Sequence, residues 1–222
     1  CLYCLENFIM RVAYSFVVFL LVGLTSNAWS LDAEQWFLDG NRLSSEGKYE
    51  EAAKAYQKSI DQNPSAPVAH YNLGIAYKNL RKLDKAAIAL EKAVELAPTN
   101  LDIRLTLGNV YNLQERWKDA IGQLNIVVHR QQNDAQAHGN LGWAYYNYKD
   151  GPPFKQMVIL NLSKAVELFE LKNQLKAAES TRKTLEEAKL KFGYQKQNRN
   201  QNQLFFSKED VNGKFNKSQN YP

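Results

Sequence analysis

The side chains that most often do chemistry in proteins are few in this chain and do not form a catalytic group. His70 and His138 stand far apart in the sequence, and His129 sits near the end of a predicted helix, where a cation is favourable. Acidic neighbours such as Glu50 and Glu51 are typical of a solvated helix face. The sequence shows no phosphate-binding glycine loop, nucleophile elbow or paired metal-ligand motif. We therefore expect no enzyme, no cofactor, no metal and no small-molecule substrate.

The residues that do recur at a fixed spacing are small. One constant interval separates the members of two sets: Gly40, Gly74, Gly108, Gly142 and Ala52, Ala86, Ala120. A constant interval of this length is typical of a repeat array. Within one period, residues 67–80 and 83–96 each carry an apolar helical stripe, with room between them for a tight turn only. Each unit is predicted to be an antiparallel helix pair whose small residues let the two backbones approach closely.

These motifs resemble the tetratricopeptide repeat family. The first unit matches the family pattern at Trp36, Gly40, Gly47, Tyr49, Ala52, Tyr56 and Pro64. Later units keep a Leu-Gly pair and a Tyr, and the resemblance covers residues 33–170. It implies an all-α, right-handed superhelical solenoid of about four repeats with a C-terminal capping helix. The implied units are 33–66, 67–100, 101–134, a divergent fourth repeat at 135–170, and the cap at 171–192.

The fourth unit departs from the pattern at its turn, where Gly-Pro-Pro at 151–153 prevents the helix from continuing. Counted back from Ala165, this loop is four residues longer than in the other units, and Val158 stands where they have a small residue. A further helix is predicted over 174–192. Its apolar stripe is Leu175, Ala178, Leu185, Ala188 and Phe192. A terminal helix that is apolar on one side is typical of a cap on an array.

The resemblance also implies a binding surface, because in this family the first helix of each pair lines a concave groove that usually holds extended peptides. By register, the candidate groove residues are Phe37, Asn41, Tyr71, Ile75, Lys78, Leu105, Asn109, Asn112, Trp143, Tyr146 and Asn147. Aromatic rings offer a large contact area, and asparagine can pair with a peptide backbone. For the four aromatic members, a place in the core between repeats is an equally supported alternative.

Some members of the family hold the C-terminal carboxylate of chaperones with Lys or Arg together with Asn. Asn41 and Asn72 stand at matching places in this chain, whereas Phe37, Asp102 and Thr106 stand where the basic residues are needed. A carboxylate would find no charge-assisted hydrogen bond there. We therefore do not expect this function.

Residues 1–30 have the layout of a secretory signal peptide. Translation is expected to start at Met10, which precedes an apolar run over 12–24, and Ala28 and Ser30 are small residues suited to a cleavage site. Both cysteines of the chain precede this site, so the mature chain would have no thiol chemistry. We expect a periplasmic or secreted protein, most simply in a Gram-negative bacterium. The alternative is a membrane-tethered protein with an uncleaved signal.

Residues 193–222 are rich in Asn and Gln, and we predict a disordered tail. Its apolar cluster, Leu204, Phe205 and Phe206, is a candidate docking motif for a groove of a partner or of this protein. The net charge of +5 is too mild to indicate nucleic acid binding. We expect a scaffold or adaptor that holds a protein partner in its concave groove. The alternative is a structural assembly factor of a cell-envelope machine that acts through its convex face or its tail.

Overall fold

The structure, a computed structural model, describes residues 32–149 and 154–194. These residues form nine α-helices and no strand, which confirms the prediction of an all-α solenoid. The helices are α1 (32–45), α2 (Tyr49–Gln62), α3 (Pro67–Asn79), α4 (Leu83–Leu96), α5 (Leu101–Leu113), α6 (Trp117–Arg130), α7 (Ala135–Asn147), α8 (Lys155–Leu171) and α9 (Leu175–Lys191). The predicted signal peptide and residues 195–222 of the predicted tail lie outside the described residues. None of the described helices has the length and apolar character that crossing a membrane requires.

Tight turns join the two helices in each of the first three pairs. Gly47, Arg81 and Glu115 share one register position and adopt the left-handed conformation, with φ of 75°, 59° and 60°. In the second turn the amide of Lys82 donates to the carbonyl of Tyr77 over 2.9 Å. This bond satisfies a carbonyl that the end of α3 would otherwise leave unpaired. The chain therefore reverses within a few residues, and α4 packs back against α3.

The helices stack in chain order. Within pairs, α3 packs on α4, α5 on α6 and α7 on α8, and between pairs α2 packs on α3, α4 on α5 and α6 on α7. The odd-numbered helices also touch their successors, namely α3 with α5, α5 with α7 and α7 with α9. Among the described residues, no two even-numbered helices are in contact. A stack whose odd-numbered helices converge in this way is curved, with those helices on its concave side.

Glycines set the separation of the two helices in each pair. Each of the four regularly spaced glycines receives a large side chain from the second helix. The pairs, with the distance from an ideal glycine Cβ to the nearest side-chain atom, are Gly40–Tyr56 2.6 Å, Gly74–Leu90 2.6 Å, Gly108–Leu124 2.6 Å and Gly142–Leu162 2.8 Å. Any larger residue would push these helices apart, and such overpacking typically costs about 1–3 kcal/mol. The alanines of the second set, Ala52, Ala86 and Ala120, are fully buried.

The core runs along the stack instead of gathering at one centre. Its largest cluster extends from α4 to α7 and includes Leu90, Ile103, Leu107, Leu124 and Leu141. Each of these side chains is almost completely buried, and burying a leucine stabilises the fold by roughly 1.5–3 kcal/mol. Because the cluster is shared between consecutive pairs, each pair depends on its neighbours for stability.

The fourth pair keeps the same packing despite its longer turn. Gly142 receives Leu162, four positions later than the register of the other pairs would place its partner. Val158, which replaces the small residue of the other pairs, is buried with 1% exposure. Residues 150–153 of this turn, with the predicted Gly-Pro-Pro, lie outside the described residues, and the contact between α7 and α8 is preserved.

Helix α9 packs on α8 and also contacts α7, so it covers the end of the last pair. Ala178, Leu185 and Ala188 are buried in this contact. The predicted stripe is wrong at Leu175, which is 65% exposed. The physical reason is the direction of the side chain. At 3.6 residues per turn, Leu175 lies roughly a quarter of a turn from the centre of the face shared by Ala178, Leu185, Ala188 and Phe192.

Candidate functional site

All eleven candidate groove residues lie on α1, α3, α5 and α7, the odd-numbered helices of the concave side. Because these helices converge, the candidate residues follow one another along the inner side of the stack. Their exposure differs. Trp143 is the most exposed with 41%, Asn112 is buried with 8%, and the other nine are half-buried. We call this set of eleven residues the concave strip.

Three members of the concave strip share one register position and reach into the spaces between helices. The ring of Phe37 lies 6.0 Å from the ring of Tyr56, centroid to centroid, and packs against the core of the first two pairs. The hydroxyl of Tyr71 lies 3.4 Å from the hydroxyl of Thr106 on α5. Tyr71 and Leu105 both pack against the central core. These side chains therefore fill gaps between neighbouring helices and present only part of their surface to the groove.

Two of the candidate amides are already bonded within the protein. Asn41 Oδ1 accepts hydrogen bonds from Asn72 Nδ2 and from the Tyr56 hydroxyl, each over 2.9 Å. Burial raises the pKa of Tyr56, so its phenol stays protonated and able to donate. Asn147 Nδ2 donates to the carbonyl of Trp143 over 2.9 Å. Asn41 and Asn147 therefore stiffen the wall of the groove, a role that the sequence pattern did not indicate.

Other polar groups of the concave strip keep unused bonding capacity. Asn112 Nδ2 donates to the carbonyl of Asn140 over 2.9 Å, whereas Asn112 Oδ1 and Asn140 Nδ2 are buried without a partner among the described residues. Leaving a buried polar group unpaired costs about 1–3 kcal/mol. Within residues 32–149 and 154–194, no hydrogen bond or ion pair engages the side chains of Lys78 and Asn109. The groups that a ligand could reach are therefore those of the half-buried Lys78 on α3 and Asn109 on α5, since the unpaired atoms of Asn112 and Asn140 are buried.

Aromatic side chains gather where α7 and α9 end. The ring centroids of Trp143 and Tyr146 lie 6.0 Å apart, and Tyr146 meets Phe192 edge-on at 6.1 Å. Lys191 Nζ lies 4.2 Å from the centroid of the Tyr146 ring, within cation–π range. These contacts hold Tyr146 in place and leave Trp143 as the exposed ring of the cluster.

A cleft of about 160 Å³ opens between α7 and α9 beside this cluster. It is lined by Gln136, Gly139, Asn140 and Trp143 of α7, Leu162 and Phe169 of α8, and Ser180, Thr181 and Thr184 of α9. We call it the α7–α9 cleft. The sequence analysis missed it, although one signal was readable. Gly139 stands one repeat interval after Leu105, at the register position that the other repeats fill with a large side chain.

Two histidines and one arginine bond the connections between consecutive pairs. His70, Arg104 and His138 share one register position, and each bonds a backbone carbonyl six residues earlier. The carbonyls are those of Pro64, Pro98 and Gln132, at 3.0, 2.8 and 3.0 Å. The described residues contain no group of three His, Cys, Asp or Glu side chains that could hold a metal ion. The side chains of His70 and His138 therefore hold the connections between consecutive pairs in place.

Two family models match the repeats. A TPR repeat model matches residues 40–80, and a tetratricopeptide repeat model matches residues 67–100. Residues 40–100 therefore match tetratricopeptide repeats. The helix packing extends the pattern beyond the matched residues, because Gly108 and Gly142 receive their partners as Gly40 and Gly74 do.

Three known proteins resemble parts of this chain. Sperm-associated antigen 1 of Mus musculus is 28% identical over 135 residues, which is 61% of this chain but only 15% of the mouse protein. The solved structure of the first TPR of Spaghetti (RPAP3), bound to the HSP90 peptide SRMEEVD, is 26% identical with a TM-score of 0.50, and covers 52% of this chain and 91% of that one. MamA from Desulfovibrio magneticus RS-1 is 23% identical with a TM-score of 0.58, and covers 72% of this chain and 96% of that one. The MamA likeness shows the fold alone.

Proposed function

We propose that this tetratricopeptide-repeat protein is an exported protein–protein interaction module that holds an extended segment of a partner along the concave strip. The observation that carries the proposal is the convergence of the odd-numbered helices, which brings Trp143, Lys78 and Asn109 to one side of the stack. An extended segment can bond its backbone to amide side chains there and rest an apolar side chain on the exposed indole. Export rests on the signal-like residues 10–30, which lie outside the described part of the chain.

A peptide is the ligand class that the similar RPAP3 domain supports, since that domain was solved with one bound. The chemistry of the ligand is expected to differ. At the places where a terminal carboxylate would need cations, this chain has Phe37 packed into the core and the acidic Asp102. Asn41 and Asn72 are bonded to each other. A carboxylate would find no charge-assisted hydrogen bond. We therefore propose an internal extended segment with at least one large apolar side chain.

The proposal is tested by cross-linking in intact cells of the native host, followed by mass spectrometry of the purified protein. We expect Lys78 on α3 to cross-link to partner peptides and Lys118 on α6, an even-numbered helix, to serve as the negative control. The same spectra report the N-terminal mass, which should correspond to cleavage after Ser30. Partner links found only at Lys208, Lys214 and Lys217 would contradict groove binding and support the tail as the working part. An intact segment before Ser30 would contradict cleavage and support a membrane tether.

Variants in the groove, compared with a control variant outside it, test the same proposal. Trp143→Ala combined with Asn109→Ala should lower the yield of partner links about tenfold or more, which corresponds to about 1.4 kcal/mol of binding free energy. Ile126→Ala is the control, because Ile126 is also 41% exposed but lies on α6. Circular dichroism should show the same helicity in all three proteins. Equal yields from the double variant and the control would contradict the proposal.

A further inference from the structure

Gly139 stands where each preceding repeat has a large side chain. Phe37, Tyr71 and Leu105 come before it, each separated from the next by one repeat interval. The Tyr71 hydroxyl reaches Thr106 on the next odd-numbered helix, with 3.4 Å between the two oxygens. Tyr71 therefore spans the gap between α3 and α5. Gly139 has no side chain with which to span the gap between α7 and α9.

Close packing does not require a glycine at position 139. A Cβ added there would lie 3.7 Å from the Cβ of Ala165 and 3.8 Å from the ring of Phe169, which is ordinary van der Waals contact. At Gly142, by contrast, an added Cβ would lie 2.8 Å from Leu162. The α7–α9 cleft is thus open space at a position where the other repeats are filled. Trp143, Leu162 and Phe169 form the apolar part of its wall, and the remaining side chains are amides and hydroxyls.

We propose that the α7–α9 cleft is filled by a later segment of this same chain, Leu204-Phe205-Phe206, with one phenylalanine ring spanning α7 and α9. Beyond Tyr194, this segment is the one run of three large apolar residues in the sequence. A phenylalanine is also the residue type that fills the equivalent place in the first repeat. The fourth repeat would then be completed by residues that follow the last described helix.

The residues between α9 and the apolar segment are numerous enough for the segment to reach the cleft. Thr181 and Thr184 line the cleft on α9, and the last residue of that helix is Lys191. A helix rises about 1.5 Å per residue, so the path from Thr184 to the end of α9 is about 10 Å. Residues 195–204, when extended, can span about 33 Å. The segment can therefore turn back along α9 and reach the cleft.

Trp143 belongs both to the α7–α9 cleft and to the concave strip. Docking would also cover the surface beside Trp143, so the segment would compete with any partner bound at that end of the concave strip. The docking itself needs no partner and can be tested without one.

The test uses the full chain with the photo-reactive residue p-benzoylphenylalanine in place of Phe205. After irradiation at high dilution, mass spectrometry should find cross-links within one chain to Trp143 or Phe169. Gly139→Leu fills the cleft and should lower the yield of these links about tenfold. Gly122→Leu is the matched control, because a Cβ at Gly122 on α6 meets nothing within 4 Å. Its yield should equal that of the unsubstituted chain.

A second measurement does not depend on the folding of the Gly139 variant. Replacing Leu204, Phe205 and Phe206 by serine changes no described residue, and it should speed amide exchange in α7 around Gly139 about tenfold if the docked segment shields it. Unchanged exchange would overturn the proposal. So would cross-links that are equally strong in Gly139→Leu, that fall elsewhere, or that join two copies of the chain instead of one.

Discussion

At the scale of single residues, Tyr111 ties two neighbouring repeats together. Its hydroxyl donates to Glu91 Oε1 on α4 over 2.7 Å, and the guanidinium of Arg116 lies 4.2 Å from its ring centroid. The side chain is only 6% exposed. Burial, and then the hydrogen bond to the Glu91 carboxylate, raise the pKa of Tyr111 above its ordinary value of 10. The neutral phenol is therefore the form that the folded state favours.

Tyr111→Phe is expected to lower the free energy of unfolding by about 1 kcal/mol at neutral pH, since it removes this hydrogen bond. Because the pKa of Tyr111 is raised in the folded state, its contribution to the free energy of unfolding is complete below about pH 10. That contribution is lost as the pH rises towards the folded-state pKa. The stability difference between the parent and the variant should therefore shrink above about pH 10. Urea unfolding followed by circular dichroism at several pH values measures this difference. A difference that stays constant across this range would contradict the prediction.

At the scale of helices, the close contact within each pair rests on glycine. Gly74→Ala would place its Cβ 2.6 Å from Leu90 Cγ, at the base of a side chain that cannot swing away. We expect a loss of about 1–3 kcal/mol in the free energy of unfolding, although alanine is the better helix former. Gly122→Ala is the control, because its Cβ meets nothing within 4 Å. That variant should gain about 0.5–1 kcal/mol. Chemical denaturation of both proteins gives the comparison, and equal effects would contradict the packing argument.

The helices could be predicted from the sequence because the patterns that indicate them are local and repeated. Gly40 and its successors and the apolar stripes each specify an element without knowledge of its neighbours. The longer turn before Val158 was readable from the register for the same reason. Leu175 was placed wrongly because it lies roughly a quarter of a turn from the centre of the buried face, as the 3.6-residue period itself shows.

The candidate site was less predictable, because a register identifies a helix face but not what its side chains bind. Asn41 has the type and spacing of a ligand-binding residue, yet Asn72 and Tyr56 already use its acceptor oxygen. Tyr71 faces the groove by register, but its length lets it reach the next helix. Gly139 is the opposite case, because the cleft exists where glycine has no side chain to fill the space. Such features depend on side-chain reach in three dimensions.

At the scale of the whole molecule, a stack of helix pairs should lose stability locally, because each pair contacts only its neighbours. Leu185→Ala removes a buried side chain of α9 and should cost about 2–5 kcal/mol in that region. Amide exchange should then speed up in α8 and α9, by about thirtyfold or more, and stay unchanged in α2 and α3. Leu175→Ala, at a position that is 65% exposed, is the control and should change nothing. Uniform acceleration in every helix would instead show one cooperative unit, in which the distant repeats share the cost of a change at the end.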